Sequence, residues 1–412
     1  MIPLAAEPSD RRPAGPLVGI RVLALEQMQA LPFATQLLAR LGADVVKVES
    51  PGGELGRASQ PSISDPDGRV LGATFLRNNL GKRSICIDLK TQRGRQLVLD
   101  MAPRFDVVAE NFRAGTMARL GLSFEDIEAV HPTCVYASVS GFGSVTTSPY
   151  RDRPAFAAIV EAMSGIYEMK REGDEPPLAS PVGALGDISA SLFAVIGILA
   201  ALRERDRSGR AQHVDVAMFD SVIAMTDIVA NFWSMGLKNG DTGPVINHGF
   251  RAGDGWFVIQ VGREHHFERL AEIVGRPEWA SDPRLADRQG WMDHLETVLR
   301  PAIEQWANDK TRDEACEALG VAGIAAGPCL LDEELVTDPH VVAHHMLVGI
   351  ERPDGLEPPV LVPGNPIRIH TAPGTHDTRV PWVGEQTNEI LETELDLPAD
   401  EVAALRADGI VA

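Results

Sequence analysis

Three consecutive stretches near the start restrict the fold more than anything else in the chain. LVGIRVLAL (17–25) has the aliphatic content of a buried strand. FATQLLARLGA (33–43) has helical spacing and stops at Gly42, and DVVKVES (44–50) reads as a second strand. Strand, helix, strand within about 35 residues is a βαβ unit, which pairs its strands in parallel and commits the chain to an open α/β sheet. The pattern continues. RSICIDL (83–89), DVVAEN (106–111) and CVYASVSGFG (134–143) read as strands, and TQRGRQLVLDMAPR (91–104) reads as a helix. SFEDIEAVHP (123–132) is a second helix, with Ser123 as its N-cap and Asp126 three residues on. After a long apolar helix, RERDRSGRAQHVDVAM (203–218) turns into a further strand.

At 412 residues the chain exceeds one ordinary core, so two domains are expected. Residues 1–16, rich in Pro, Ala and charge, read as a flexible arm, and 17–225 as a large Rossmann-like domain with an open parallel sheet. Residues 226–335, with Trp-rich helical segments and one strand-like piece, GWFVIQVG (255–262), read as a smaller α+β domain. The Pro-rich segment 336–412 ends in the amphipathic ADEVAALRADG (399–409) and is expected to return to the large domain.

A formal charge of −20 repels a polyanion at long range, so nucleic acid is not an expected partner, although local cations still admit a small phosphorylated ligand. Cys86, Cys134, Cys316 and Cys329 form no CxxC pair, which fits free thiols in a reducing compartment. The adjacent histidines His265–His266 and His344–His345 diverge on a helix and are not expected to hold a metal. The N-terminal stretch has no apolar core of a signal peptide, and the apolar run Leu192–Leu202 falls short of a membrane span, so a cytoplasmic protein without a membrane partner is expected.

No GxGxxG, GxxxxGK[ST] or GxSxG motif is present, which leaves dinucleotide, P-loop and hydrolase sites unsupported. In an open α/β sheet, ligands sit at the carboxyl ends of the strands. Three stretches fall at that edge: the first βα loop with Gln29 and Ala30, Lys90 beyond the third strand, and Asn111-Phe112-Arg113 beyond the fourth. One by one they read as surface or core residues. Together, a cation, an amide and an aromatic suit a ligand with phosphate and adenine parts. Asp187, at the entrance to the apolar helix ALGDISASLFAVIGILAAL (184–202), reads locally as an N-cap or as a nucleophile at a helix end.

The ordered blocks 16–53, GKRSICIDLKTQRG (81–94), VVAENFRAGTMARLGL (107–122), VYASVSGFG, RDRPAF (151–156), EAMSGIY (161–167), 185–218 and GIAAGPCLLDEEL (323–335) together resemble the CoA transferases of the third class. That family includes formyl-CoA:oxalate and carnitine CoA transferases and the α-methylacyl-CoA racemases. The resemblance implies an interlocked homodimer and the nucleophile at Asp187. It implies CoA contacts at Gln29, Ala30, Ile87, Lys90, Asn111, Phe112 and Arg119. Coenzyme A then serves as substrate and product, with no permanently bound cofactor, and the partners are an acyl-CoA and a small carboxylic acid. Gly183 and Gly186 flank the aspartate and could bring backbone N–H groups to an oxyanion.

This sequence departs from the family's pattern in several places. Phe156 is followed by Ala157 where an Asp is common, Glu161 stands where a Gln is common, and Ser50-Pro51 replaces a basic residue. The racemase branch places its second base, a His, at the position of Phe156, whose ring cannot abstract a proton. Transfer is therefore the expected activity. A racemase is the alternative, and a non-catalytic CoA-binding dimer the third reading.

Overall fold

The computed structural model describes residues 2–8, 14–145, 147–169, 171, 173–226, 228–237, 243–370 and 377–412. Two compact units result: residues 1–230 with 340–412, and residues 231–339.

In the first unit the βαβ start consists of β1 (Arg21–Leu25), α1 (Ala30–Arg40) and β2 (Asp44–Glu49). The chain goes on through β3 (Arg83–Cys86), α2 (Gln92–Met101), β4 (Val107–Glu110), α3 (Phe124–Val130) and β5 (Val135–Ser140). Then come α4 (Ala157–Met163), α5 (Leu185–Ser208) and β6 (Gln212–Ala217). The six strands are all parallel, in the order β3-β2-β1-β4-β5-β6. Side chains alternate between faces, as a strand's period of two requires. Val22 and Ala24 face α1 and α5, whereas Leu23 and Leu25 join Ile85, Val108 and the C-terminal helices Thr387–Leu395 and Ala399–Ala407. The order reverses between β1 and β4, and the crevice at such a switch point is where open α/β sheets take ligands.

Local chemistry explains the element ends. Ser123 and Asp126 close a reciprocal capping box on α3, as their spacing predicts. Gly42 lies just beyond α1 at φ +107°, where an added Cβ would stand 2.5 Å from the Ala14 carbonyl oxygen, so only glycine fits. The edge strand β3 is covered by the C-terminal segment. Gln386 Oε1 accepts from the Ser84 N–H (2.8 Å) and Thr387 Oγ1 from the Cys86 N–H (3.1 Å), so the outward donors of the edge are satisfied.

Helix α5 runs for 24 residues, well beyond the apolar run that marks it in the sequence, and by length and composition alone it would pass as a membrane span. Its packing argues otherwise. Ala190, Ala194, Ile198 and Leu202 recur at four-residue steps and are buried in the core with the sheet and α1, whereas Leu192 and Ile196 are exposed.

The second unit holds more sheet than its sequence announces. Ile246–Ala252 (β7), Gly255–Val261 (β8) and Ala325–Pro328 (β9) form an antiparallel sheet in the order β9-β8-β7, around a core with Phe250, Phe257, Phe267 and Trp291. Only β8 shows hydrophobic alternation. INHGFRA is interrupted by polar residues and glycine, and AAGP carries no β-branched side chain.

Candidate active site at the carboxyl edge of the sheet

The loops after β1 and β4 meet at the switch point. The Asn111 side chain accepts from the Gln27 N–H through Oδ1 and donates to the Gln27 carbonyl through Nδ2, both at 2.9 Å. Phe112 is partly buried against the core, and its N–H donates to Glu110 Oε2 (2.8 Å). Gln29 stands at the N-cap of α1 without a side-chain cap bond, so the first turn of that helix opens uncapped onto this edge.

Helix α5 brings Asp187 to the same place. The buried Ser191 hydroxyl lies within hydrogen-bonding distance of the Ala30 carbonyl oxygen and of the Asp187 carbonyl oxygen (2.7 Å). One hydroxyl thus joins the start of α1 to the first turn of α5. Neither the motif nor the periodicity marks Ser191, because its role depends on a contact 161 residues away.

Asp187 is not the N-cap. Ala184 holds that position, and Asp187 is the third residue of the helix. The reason is a cap supplied from another element: Glu161 Oε1, on α4, accepts from the Gly186 N–H (2.9 Å). Gly186 packs so closely on α4 that an added Cβ would lie 2.8 Å from Val160 Cγ2 and 3.0 Å from Ala157 Cα. The N–H expected to serve an oxyanion is therefore taken by Glu161. Gly183 lies in the exposed preceding turn at φ +78°.

The electrostatics reverse a second expectation. A helix N-terminus by itself favours a carboxylate and would hold the Asp187 carboxyl down. Burial first, and the negative charge of Glu161 second, push it up to about 6. Among the described residues no hydrogen bond reaches the Asp187 carboxylate oxygens. Glu161 is buried and, among the described residues, meets no cation; its Oε2 accepts from Tyr167 OH (2.7 Å). The Tyr167 phenol is pushed up to about 12 by burial and by that bond, so it remains a donor.

The other expected contacts divide. Lys90 is exposed, beyond β3, and Arg119 is exposed, with Nη2 donating to Thr116 Oγ1 (3.0 Å). The Ile87 side chain is wholly buried in the core, which leaves only its main chain to a ligand. Phe156 is 70% exposed at the N-cap of α4.

A parallel sheet of this order, with the starts of α1 and α5 joined at its switch point, is the frame of an open α/β protein with its ligand crevice at that edge. The model of CoA-transferase family III matches residues 17–387, and the chain belongs to that family of enzymes. It is 36% identical to the succinyl-CoA–D-citramalate CoA-transferase of Chloroflexus aurantiacus, over 98% of this chain and 100% of that protein. It is 34% identical to the formyl-CoA:oxalate CoA-transferase of Streptomyces avermitilis, over 96% and 99% of the two chains. A crystal structure of a CAIB/BAIF family protein from Brucella suis superposes with a TM-score of 0.79 at 32% identity, over 92% of this chain and all of that one.

Proposed function

We propose that this enzyme moves CoA from an acyl-CoA donor to a carboxylic acid through a mixed anhydride on Asp187. The observation that carries the reading is the Ser191 link, which sets Asp187 beside the uncapped start of α1. An Asp187 carboxylate oxygen attacks the thioester carbonyl, the C–S bond breaks, and CoA leaves as a thiolate. The thiolate then attacks the Asp187 carbonyl and releases the donor acid, leaving CoA on Asp187 as a thioester. The acceptor carboxylate displaces the thiolate, and its return to the acceptor's acyl carbon frees Asp187 and the new acyl-CoA. With a carboxyl pushed up to about 6, Asp187 is mostly ionised at neutral pH and more nucleophilic than an ordinary aspartate. The first-turn N–H groups of α1 are suited to the developing oxyanion.

The acceptor we propose is a short dicarboxylate. The named relatives act on citramalate, mesaconate, oxalate and malate. Arg151 and Arg153 stand exposed in the turn before α4, where a second carboxylate would find a cation. The test is to incubate the enzyme with succinyl-CoA, trap with hydroxylamine and map the label by mass spectrometry. Modification is expected at Asp187. Deuterium entry at the α-carbon without any acceptor would instead mark a racemase.

We also propose a homodimer. Leu192 and Ile196, four residues apart on α5, and Ile223 on the helix Met218–Ala224 that packs on α5 are exposed apolar side chains. Light scattering is expected to give twice the chain mass of 44.4 kDa. A monomer at micromolar concentration would refute the assembly.

A further inference from the structure

The turn between β1 and α1 is strained and held from two sides. Met28 adopts φ +61°, in the left-handed region that a side chain of this type rarely occupies. Such a conformation persists only where its surroundings impose it, and strain of this kind gathers at functional sites. Here two side chains from distant loops impose it. Asn111 takes both polar groups of Gln27 at 2.9 Å, and Glu54 Oε2 accepts from the Met28 N–H at 2.9 Å. The Glu54 side chain is 4% exposed, and its Oε1 has no hydrogen-bond partner, lying 3.7 Å from Lys47 Nζ. The same Oε2 also accepts from the Gly56 N–H (2.6 Å), so one buried carboxylate ties the Met28 turn to the Leu55–Ala58 turn that Glu54 caps.

The floor of the turn is fixed as firmly. Glu26, at the end of β1, is fully buried; its Oε1 accepts from Lys82 Nζ (2.6 Å) and its Oε2 from Thr35 Oγ1 (2.7 Å). Lys82 Nζ also donates to the Pro32 carbonyl in the first turn of α1 (2.8 Å), and Lys47 Nζ to the Glu26 carbonyl (3.2 Å). With both ends of the turn anchored, the part free to change is Gln27–Gln29, and that is the part Asn111 and Glu54 hold.

We propose that Asn111 and Glu54 are positioning residues that clamp the Gln27–Gln29 turn in its left-handed form, so that the uncapped start of α1 is preorganised beside Asp187. This rests on the Asp187 reading of the site. It differs from the role that the sequence resemblance implies for Asn111, a contact to CoA. In the structure both ends of the Asn111 amide are already engaged by Gln27.

The experiment compares Asn111→Ala and Asn111→Asp with the full-length wild type, measuring kcat, the KM for succinyl-CoA, the Kd for CoA and the extent of Asp187 labelling in a single turnover. Asp keeps the acceptor for the Gln27 N–H but faces the Gln27 carbonyl with an oxygen, so it should not rescue the amide's function. The expected result is a kcat lowered about 10–100-fold in both variants, slowed labelling, and a CoA Kd within about threefold of wild type. Met28→Asn in the Asn111→Ala background is expected to recover about tenfold of the loss, because asparagine tolerates the left-handed region that the clamp otherwise imposes. A bystander role in folding would show no such recovery. A CoA Kd raised tenfold or more with kcat preserved would overturn the clamp and make Asn111 a ligand contact. If Asn111→Ala does not accumulate as folded protein, Met28→Val serves instead: a β-branched side chain opposes the left-handed form that the clamp must hold, so kcat is expected to fall with the CoA Kd kept, and unchanged kcat there would equally refute the proposal. Failure of the wild type itself to label at Asp187 would count against the site reading and not against the clamp.

Discussion

Asp187→Asn is expected to abolish transfer and, at the same time, to make the folded protein more stable at neutral pH. The amide keeps the shape of the carboxylate but cannot form an anhydride, so kcat should fall at least about 10⁴-fold with CoA binding retained. The stability gain follows from the pKa. Asp187 rises from an ordinary value of 3.8 to about 6 on folding, because burial and Glu161 disfavour its charge. The folded state therefore holds this proton more tightly than the unfolded state. The contribution of Asp187 to stability is highest below about pH 4, falls as pH rises toward 6, and carries the full penalty above that. The full rise corresponds to roughly 3 kcal/mol, and the partial solvent contact of the residue reduces it to about 1–2 kcal/mol. Thermal unfolding should place Asn above Asp at pH 7.5, with the gap closing as pH approaches 4. A variant less stable than wild type at pH 7.5 would show that Asp187 is held by interactions favouring its charge, and a variant that still turns over would remove it from the chemistry.

How far the sequence carries is visible at single residues. The βαβ start, the Ser123–Asp126 capping box and the Gly42 stop are local, and local pattern predicts them. The edge of the sheet where the loop holding Gln29 meets Asn111 through Gln27 follows from strand order, and parallel pairing was legible in the connections. What the two residues do there was not legible. Asn111 is engaged by a backbone 84 residues earlier, and no spacing rule reports a bond of that separation. Asp187 shows the same limit at closer range. An aspartate before an apolar run reads as a cap until a carboxylate 25 residues upstream takes the N–H. β7 and β9 were missed because their pairing with β8 overrides weak local preference, as tertiary context commonly does in strands. Glu161 was noticed only as a departure from a pattern. Its meaning appeared once its two oxygens were seen to join the start of α5 to Tyr167.

That arrangement gives the second large effect. In the wild type, kcat/KM should fall tenfold per pH unit below about 6, since the protonated Asp187 cannot attack. In Glu161→Gln the limb should move to lower pH. The amide can still accept from the Gly186 N–H and can donate to Tyr167 oxygen, so both bonds survive with the second one reversed. What is lost is the charge, the lesser of the two causes that raise Asp187. The limb should therefore shift by less than about one pH unit, with burial accounting for the remainder. A lower pKa also makes a weaker nucleophile, so the rate at pH 8 should drop several-fold even though more of Asp187 is ionised at pH 5. Glu161→Ala separates charge from structure. It removes the same charge but leaves the Gly186 N–H and Tyr167 OH without their acceptor, at about 1–3 kcal/mol if water does not replace it. The two variants should share the shifted limb and differ in melting temperature and in kcat, which falls further in Ala as the first turn of α5 loosens. If the limb stays at its wild-type position in both, Glu161 acts on Asp187 only through the helix it caps. If it moves up, the carboxylate at 161 is a stabiliser of the ionised nucleophile, and the sign of the coupling assigned to the pair is wrong.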